Sequence, residues 1–289
     1  MARVSFAAWL QQVGTSMAWL LAFAAVGVGT AIGVDKLIAG VGGARWDLAR
    51  GGVSWLTGFA LATIVVGRRL DGFDWERLGW RSRRTLPRHF FRGLVLGVAM
   101  AALAIVLAVG LDHATVRFSN PSGLTDTIVP VVIGLLAAAL SEELMFRGYP
   151  LRRLTETFGP GTATVLLAVG FAAAHLGNPS VDALSAANIA LAALWLAAAF
   201  FSTGGMALAW GLHFGWNAGL SLVFDAPVSG YSFDVPGVDY LPGRQSWLDG
   251  GRFGPEGGLI GTFVFCAGIA VLLWLELRRQ RAPLSEAAA

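Results

Sequence analysis

Residues 127–147 read TIVPVVIGLLAAALSEELMFR, an apolar stretch with charged residues at its end. A helix of about 20 apolar residues is long enough to cross the hydrocarbon core of a bilayer. Glu142, Glu143 and Arg147 close the stretch, and one ionisable side chain placed in hydrocarbon costs at least about 3 kcal/mol. We therefore expect these three residues to be paired, functional or both.

Seven further apolar blocks accompany this one, and the eight predicted spans are residues 15–34, 52–67, 91–111, 127–147, 161–177, 185–202, 205–224 and 258–276. Charged residues make up 13% of the chain, about half of what soluble domains carry. The predicted fold class is therefore all-α: a polytopic integral membrane protein with about eight transmembrane helices.

The predicted organisation has three parts. Residues 1–124 hold the first three helices, residues 125–225 hold helices 4–7 and the charged motifs, and residues 226–289 hold an outer loop, helix 8 and a tail. The tail after Arg281 is expected to be a short disordered end.

Arginines decide the predicted orientation. They cluster in the segment 68–92, directly after span four, and in the C-terminal tail. All three positions fall on one side if the chain crosses the membrane eight times. By the positive-inside rule, that side and both termini are cytoplasmic. The net charge of +3 follows from this topology, so we predict no binding of nucleic acid.

The segment 225–257 falls on the opposite side and is rich in Gly, Pro and Asp. It is too long for a tight turn, and a lid or interfacial loop and a plain solvated connector are both consistent with it. The abundance of Ala, Gly and Arg beside one lysine, Lys36, is typical of a high-GC bacterium. The predicted location is therefore the bacterial inner membrane, with the lipid bilayer as the surrounding partner.

The acidic motif predicts two roles. Glu143 and Arg147 are four residues apart and face each other across one helical turn, and a paired buried charge is tolerable. Glu142 is rotated by about 100°, so it is expected to face a cavity, where a carboxylate suits a general base. A helix end with a surface ion pair is the alternative interpretation.

His175 is predicted to lie at the depth of Glu142. Gly159-Pro160 is a strong helix stop, and a fourth helix continuing to Phe158 would form an antiparallel hairpin about it. Glu142 and His175 would then both lie roughly 23 Å from the turn. This agreement predicts a shared site.

His213 and Asn217 are four residues apart and share one helix face. Gly211, Gly215 and Gly219 repeat at the same spacing on the opposite face, which is typical of tight helix packing. An interhelical hydrogen-bonded pair is the alternative to a catalytic role for His213 and Asn217. The chain lacks HExxH, GxSxG and Walker motifs, and its single cysteine, Cys266, permits no Cys-based zinc site.

Together, Glu142-Glu143-x-x-x-Arg147, Phe171-x-x-x-His175 and His213-x-x-x-Asn217 resemble the motifs of the CAAX protease and bacteriocin-processing (CPBP) intramembrane proteases. That family includes the type-two CAAX prenyl endopeptidases and the bacterial abortive-infection proteins. The resemblance covers about residues 125–225 and implies a cavity among helices 4, 5 and 7.

The resemblance also implies the site roles. Glu142 and His175 would activate a water, and His213 and Asn217 would bind the oxyanion or hold the site. Glu143, Arg147 and Phe171 would support it. In a metalloprotease version, Glu142, His175 and His213 bind zinc. In a second version no metal binds and Glu142 is the base, which the self-paired Glu143 and Arg147 favour.

The predicted function is an intramembrane endopeptidase that cleaves near the cytoplasmic membrane interface. Its substrate would be a membrane-bound or lipid-modified protein or peptide, and prenylated CAAX proteins are the family's eukaryotic case. Two other classes stay open: a non-catalytic membrane partner, such as an immunity or scaffold protein, and a proton-coupled transporter. Transporters often show internal repeats, and none is visible here.

Overall fold

The computed structural model describes residues 5–281, so the predicted disordered tail lies outside the described residues. In this range the helices are α1 (Phe6–Ile38), α2 (Asp47–Ala62), α3 (Leu86–Gly110), α4 (Leu124–Phe146), α5 (Tyr149–Phe158), α6 (Pro160–Ala174), α7 (Ala183–Phe201), α8 (Gly205–Ala218), α9 (Ser246–Asp249) and α10 (Leu259–Arg281). Two π-helical segments, Thr63–Leu70 and Gly219–Val223, extend α2 and α8. The strands β1 (Ala114–Phe118) and β2 (Val238–Pro242) pair antiparallel.

The predicted all-α membrane fold is confirmed. Within residues 5–281, six helical stretches are long and apolar enough to cross a bilayer: Phe6–Ile38, Ala44–Leu70, Leu86–Gly110, Leu124–Phe158, Ala183–Phe201 and Leu259–Arg279. The other two predicted spans, 161–177 and 205–224, correspond to the shorter apolar helix α6 and to α8 with its π-helical extension. Predicted helices 4, 5 and 7 are thus α4, α6 and α8.

The fourth helix does not continue unbroken to Phe158. The backbone N–H groups of Arg147 and Gly148 both donate to the Glu143 carbonyl, at 2.8 and 2.9 Å, and α5 begins at Tyr149. Pro150, in the first turn of α5, has no N–H to continue the α4 ladder. The continuous helix assumed in the depth comparison of Glu142 and His175 is therefore wrong.

One end of the bundle gathers the loops that join α1–α2, α3–α4, α6–α7 and α8–α10. β1 of the α3–α4 loop pairs with β2 of the α8–α10 segment, and Asn178 of the α6–α7 loop donates its Nδ2 hydrogen to the Ser229 carbonyl of the same segment. Arg45 of the α1–α2 loop lies 3.8 Å from Asp126 in the first turn of α4. We call this the strand end.

The other end gathers the arginine-rich segment, α5 and the start of α8. Arg77 forms an ion pair with Glu156 of α5, and Arg153 lies 3.4 Å from Asp71. The Met206 N–H donates to the Gly79 carbonyl at 3.0 Å. We call this the arginine-rich end. The loops therefore alternate between two ends, as the predicted topology requires.

α3 and α8 cross at backbone distance, and the predicted glycine face of α8 makes this contact. A Cβ on Gly211 would lie 2.0 Å from the Phe90 carbonyl oxygen, and one on Gly215 would lie 2.4 Å from that of Leu94. Gly97 of α3 approaches the Leu212 carbonyl in the same way. This close packing fixes the height and rotation of α8, which carries His213.

Gly211→Ala is expected to lower the free energy of unfolding by about 1–3 kcal/mol, because the new methyl group collides with backbone that cannot move aside. Thermal unfolding of the purified protein in detergent measures the change. Gly14→Ala, in α1 with open space around its Cβ position, is the control and should be neutral or stabilising. Equal unfolding temperatures for the two variants would contradict this packing.

Candidate functional site

A cavity of about 810 Å³ lies inside the bundle, and Glu142, His175, His213 and Asn217 all line it. Its walls come from more of the chain than the predicted helices 4, 5 and 7. α1, α2 and α7 contribute apolar side chains, and the segment 225–257 contributes Val228, Ser229, Tyr231, Phe233 and Glu256. The cavity is therefore enclosed by all three predicted parts of the chain.

Glu142 faces this cavity, and 29% of its side chain is exposed. Its Oε2 atom lies 3.6 Å from Nε2 of His213. Its neighbour Glu143 does not line the cavity and is completely buried. The one-residue rotation along α4 thus separates a cavity-facing acid from a buried acid, as the sequence predicted.

His213 lies between these two acids. Its Nδ1 atom is 2.8 Å from Oε1 of Glu143, and its Nε2 atom faces Glu142. Glu143 also lies 3.5 Å from the guanidinium of Arg147, which is always charged, so we assign Glu143 as an ionised carboxylate that only accepts hydrogen bonds. Nδ1 of His213 is therefore the donor, and Nε2 is left for chemistry in the cavity.

Arg147 is buried together with Glu143, with 3% of its side chain exposed. Its guanidinium carbon lies 4.4 Å from the centre of the Phe171 ring, a cation–π contact that is worth more when it is desolvated. Phe171 therefore joins the arginine of α4 to α6. The predicted supporting residues Glu143, Arg147 and Phe171 therefore contact one another in a row.

His175 follows the last turn of α6 and packs against the ring of Phe171, with 4.5 Å between ring centres. Its Nδ1 atom lies 2.7 Å from the Phe171 carbonyl oxygen. A carbonyl only accepts, so Nδ1 is the donor here too, and Nε2 of His175 is free to accept a hydrogen bond. Phe171 also contacts the His213 ring edge-on, at 6.2 Å.

The contact pattern differs from the one that the motifs predicted. The sequence analysis placed Glu142 together with His175. In the described residues, the direct contact of Glu142 is with His213. Asn217 lines the cavity one helical turn beyond His213. His175 and Asn217 share the cavity with Glu142 without bonding it directly.

Glu256 is a cavity residue that the motifs did not include. It is 3% exposed, and its carboxylate accepts hydrogen bonds from the Ser229 backbone N–H and hydroxyl and from Trp216 Nε1, at 2.5, 2.7 and 2.7 Å. Its backbone carbonyl accepts from Asn188 of α7 at 2.8 Å. An acid within a Gly- and Pro-rich run next to an apolar span was the available signal in the sequence.

A second cavity, of about 770 Å³, lies at the strand end outside the predicted site. Asp225, Asp234 and Asp239 line it together with Arg252. Burial raises the pKa of Asp225 to about 6, and the two neighbouring carboxylates add to this while the Val235 N–H opposes it. The cavity is acidic, and no predicted site residue lines it.

The predicted zinc ligands Glu142, His175 and His213 all line this cavity, and zinc binding stays a prediction. Among residues 5–281 there is no group of three or more His, Cys, Asp or Glu side chains that could hold a metal. A zinc ion needs its ligand atoms at about 2.0–2.2 Å. Oε2 of Glu142 and Nε2 of His213 are 3.6 Å apart, and the bond of His213 Nδ1 to Glu143 leaves Nε2 as the atom that could bind an ion.

The fold and cavity define a class: an all-α membrane protein with acid and histidine side chains in a cavity between its helices. Residues 124–219 match the family model described as "Type II CAAX prenyl endopeptidase Rce1-like". The match covers α4 to α8, which carry all the motif residues, and the resemblance predicted for residues 125–225 is confirmed. No curated protein and no solved structure matches the chain.

Arg147→Met is expected to lower the free energy of unfolding by about 3–5 kcal/mol, because it leaves the carboxylate of Glu143 buried without its cation. The double variant Glu143→Gln, Arg147→Met should recover part of this loss, since a glutamine oxygen still accepts from His213 without a buried charge. Thermal unfolding in detergent measures both changes.

Arg244→Met, at an exposed arginine, is the control for loss of a positive charge and should change stability by less than about 0.5 kcal/mol. A double variant that is no more stable than Arg147→Met would show that the buried pair does not behave as one electrostatic unit.

Proposed function

We propose that this protein is an intramembrane endopeptidase that hydrolyses a peptide bond in a membrane-bound or lipid-modified protein or peptide, with Glu142 as the general base. The observation that carries the proposal is the cavity-facing Glu142 beside a histidine whose other nitrogen is tied to a buried acid. The family match over residues 124–219 supports the same reaction class.

The attacking water is held by two acceptors. One of its hydrogens goes to the Glu142 carboxylate and the other to Nε2 of His175, whose Nδ1 is occupied by the Phe171 carbonyl. This leaves a lone pair of the water aimed at the substrate carbonyl carbon. Holding the nucleophile in this way removes much of the entropic cost of the attack.

When the water attacks, Glu142 takes its proton and the carbonyl oxygen becomes an oxyanion. The amide of Asn217 is a hydrogen-bond donor in every protonation state, and it donates to that oxyanion. The proton on Glu142 has a short path to Nε2 of His213, 3.6 Å away. His213 then also donates to the oxyanion, and it finally delivers this proton to the leaving amine as the C–N bond breaks.

The rest of the cavity suits an apolar substrate portion. Its wall away from the polar residues is built by Leu20, Phe23, Val28, Trp55 and Phe59 of α1 and α2. Cavities of this volume hold ligands mainly by apolar burial, with a few polar groups that fix orientation. A membrane-embedded or lipid-bearing segment next to the cleaved bond fits this division.

This mechanism uses the side chains alone. The link of His213 Nδ1 to Glu143, and of Glu143 to Arg147, accounts for a proton held on Nδ1 of His213. The zinc version of the reaction predicts that cleavage stops when a chelator is added and returns when zinc is restored.

Glu142→Gln is expected to lower the cleavage rate by a factor on the order of 10²–10⁴, the contribution of a general base. The probes are two fluorescence-quenched peptides, one carrying a farnesylated CAAX sequence and one a transmembrane segment. Both are presented to the protein in liposomes of bacterial lipid, with and without a chelator. The unfolding temperature should stay unchanged, because Glu142 faces the cavity and Glu143 remains.

The matched control is Asp126→Asn, which removes an exposed acid from the first turn of the same helix and should leave cleavage unchanged. Failure of the wild type to cleave either probe, or undiminished cleavage by Glu142→Gln, would contradict the proposal. The first result would favour a non-catalytic membrane partner or a transporter. Loss of cleavage when only the chelator is added would support the zinc version of the reaction.

A further inference from the structure

The cavity reaches the surface at the strand end. Two of its lining residues, Asp47 at the start of α2 and Tyr231 in the segment 225–257, are exposed to 62% in the side chain and 49% overall. Asn178 and Ser229, which bond each other across two strand-end loops, also line it. The cavity that holds Glu142 therefore extends to the loops of this end.

Toward the arginine-rich end, the cavity is lined by Met145, Phe146 and Pro150. No residue of the range 63–92 lines the cavity. Tyr149 is fully buried there; its ring packs against Phe23 and Phe73, and its hydroxyl donates to Asp71 at 2.7 Å. A water-soluble group therefore meets a packed aromatic layer between the arginine-rich loops and the site.

The passage at the strand end is built from fixed backbone. Glu256 holds Ser229 at its rim and Trp216 of α8 with the same carboxylate, and Asn188 holds the Glu256 and Gly258 carbonyls from α7. A buried carboxylate whose hydrogen bonds are all satisfied rigidifies its surroundings. The segment 225–257 thus contributes a wall of the cavity.

Charge orients these two ends in the membrane. The arginine-rich end carries Arg68, Arg69, Arg77, Arg81, Arg83, Arg84, Arg88, Arg92, Arg152 and Arg153, whereas acids predominate among the charged residues of the strand end. Short basic loops stay in the cytoplasm. With this orientation, the strand-end side of the cavity faces away from the cytoplasm, whereas the sequence analysis predicted cleavage near the cytoplasmic interface.

We propose that the substrate of this site is an extracytoplasmic polypeptide segment, belonging to a membrane-anchored or exported protein, that enters the cavity from the strand end. The proposal rests on the proposed peptidase function for its chemistry. The direction from which the substrate enters is inferred from the cavity alone.

The test is cysteine accessibility in the full chain with its own cysteine removed by Cys266→Ala. Three single cysteines are compared: Ala174→Cys inside the cavity, Trp247→Cys on the strand-end surface, and Arg84→Cys on the arginine-rich surface. A membrane-impermeant sulfonated maleimide is applied to right-side-out and to inverted membrane vesicles. Thiols react only where the reagent reaches them.

The expected result is that Ala174→Cys and Trp247→Cys react about tenfold faster in right-side-out vesicles, and Arg84→Cys about tenfold faster in inverted ones. Faster labelling of Ala174→Cys in inverted vesicles, or equal labelling from both sides, would overturn the proposal. So would labelling of Arg84→Cys in right-side-out vesicles, since the strand end would then be cytoplasmic. Tyr231→Cys replaces Ala174→Cys if that variant does not fold.

Labelling needs no cleavage, so its outcome is separate from that of the Glu142→Gln experiment. A peptidase entered from the cytoplasm would pass the cleavage test and fail this one. A non-catalytic protein with an outward cavity would do the reverse. In an active sample, a bulky maleimide on Tyr231→Cys should also lower cleavage about tenfold, whereas the same label on Trp247→Cys should not.

Discussion

The hydrogen bond from His213 to Glu143, completed by Arg147, is the interaction on which the rest of the site depends. A carboxylate with no exposed surface needs both partners, because an unpaired buried charge costs several kcal/mol. Once this pair is formed, α4 and α8 are locked in one register and one rotation. The neighbouring Glu142 must then face the cavity, and Nε2 of His213 must face Glu142.

Two packing features make this arrangement rigid. The glycine face of α8 brings it against the backbone of α3, so α8 cannot rotate to release His213. Phe171 lies between the guanidinium of Arg147 and the rings of both histidines, so α6 is held by the same pair. Rigid support of this kind is what a hydrolytic site needs to hold a water and an amide carbonyl in line.

Sequence periodicity predicted much of this site. Spacing of four predicted the ion pair of Glu143 with Arg147, the shared face of His213 and Asn217, and the opposite glycine face. What it could not predict was which acid His213 contacts, because helical spacing relates residues on one helix and says nothing about partners on another. The pairing depends on the crossing of α4 and α8, which the backbone contacts with α3 decide.

The break after Phe146 and the role of Glu256 escaped prediction for different physical reasons. Two N–H groups that converge on the Glu143 carbonyl end the helix at Phe146, well before the Gly159-Pro160 stop that the sequence analysis used. Glu256 sits in a run of glycines and short 3₁₀ turns, where no period indicates burial. Its partners Ser229 and Trp216 are distant in sequence, so their contact appears only in three dimensions.

The most direct test of this account is the ¹⁵N NMR spectrum of the protein labelled at its four histidines, with the His213 signals assigned through a His213→Gln variant. The account predicts that Nδ1 of His213 carries a proton and is hydrogen bonded, and that Glu143→Gln shifts this signal while leaving that of His89 unchanged. A His213 ring with a bare Nδ1 and a proton only on Nε2 would contradict it, because Glu143 would then not hold the histidine toward Glu142.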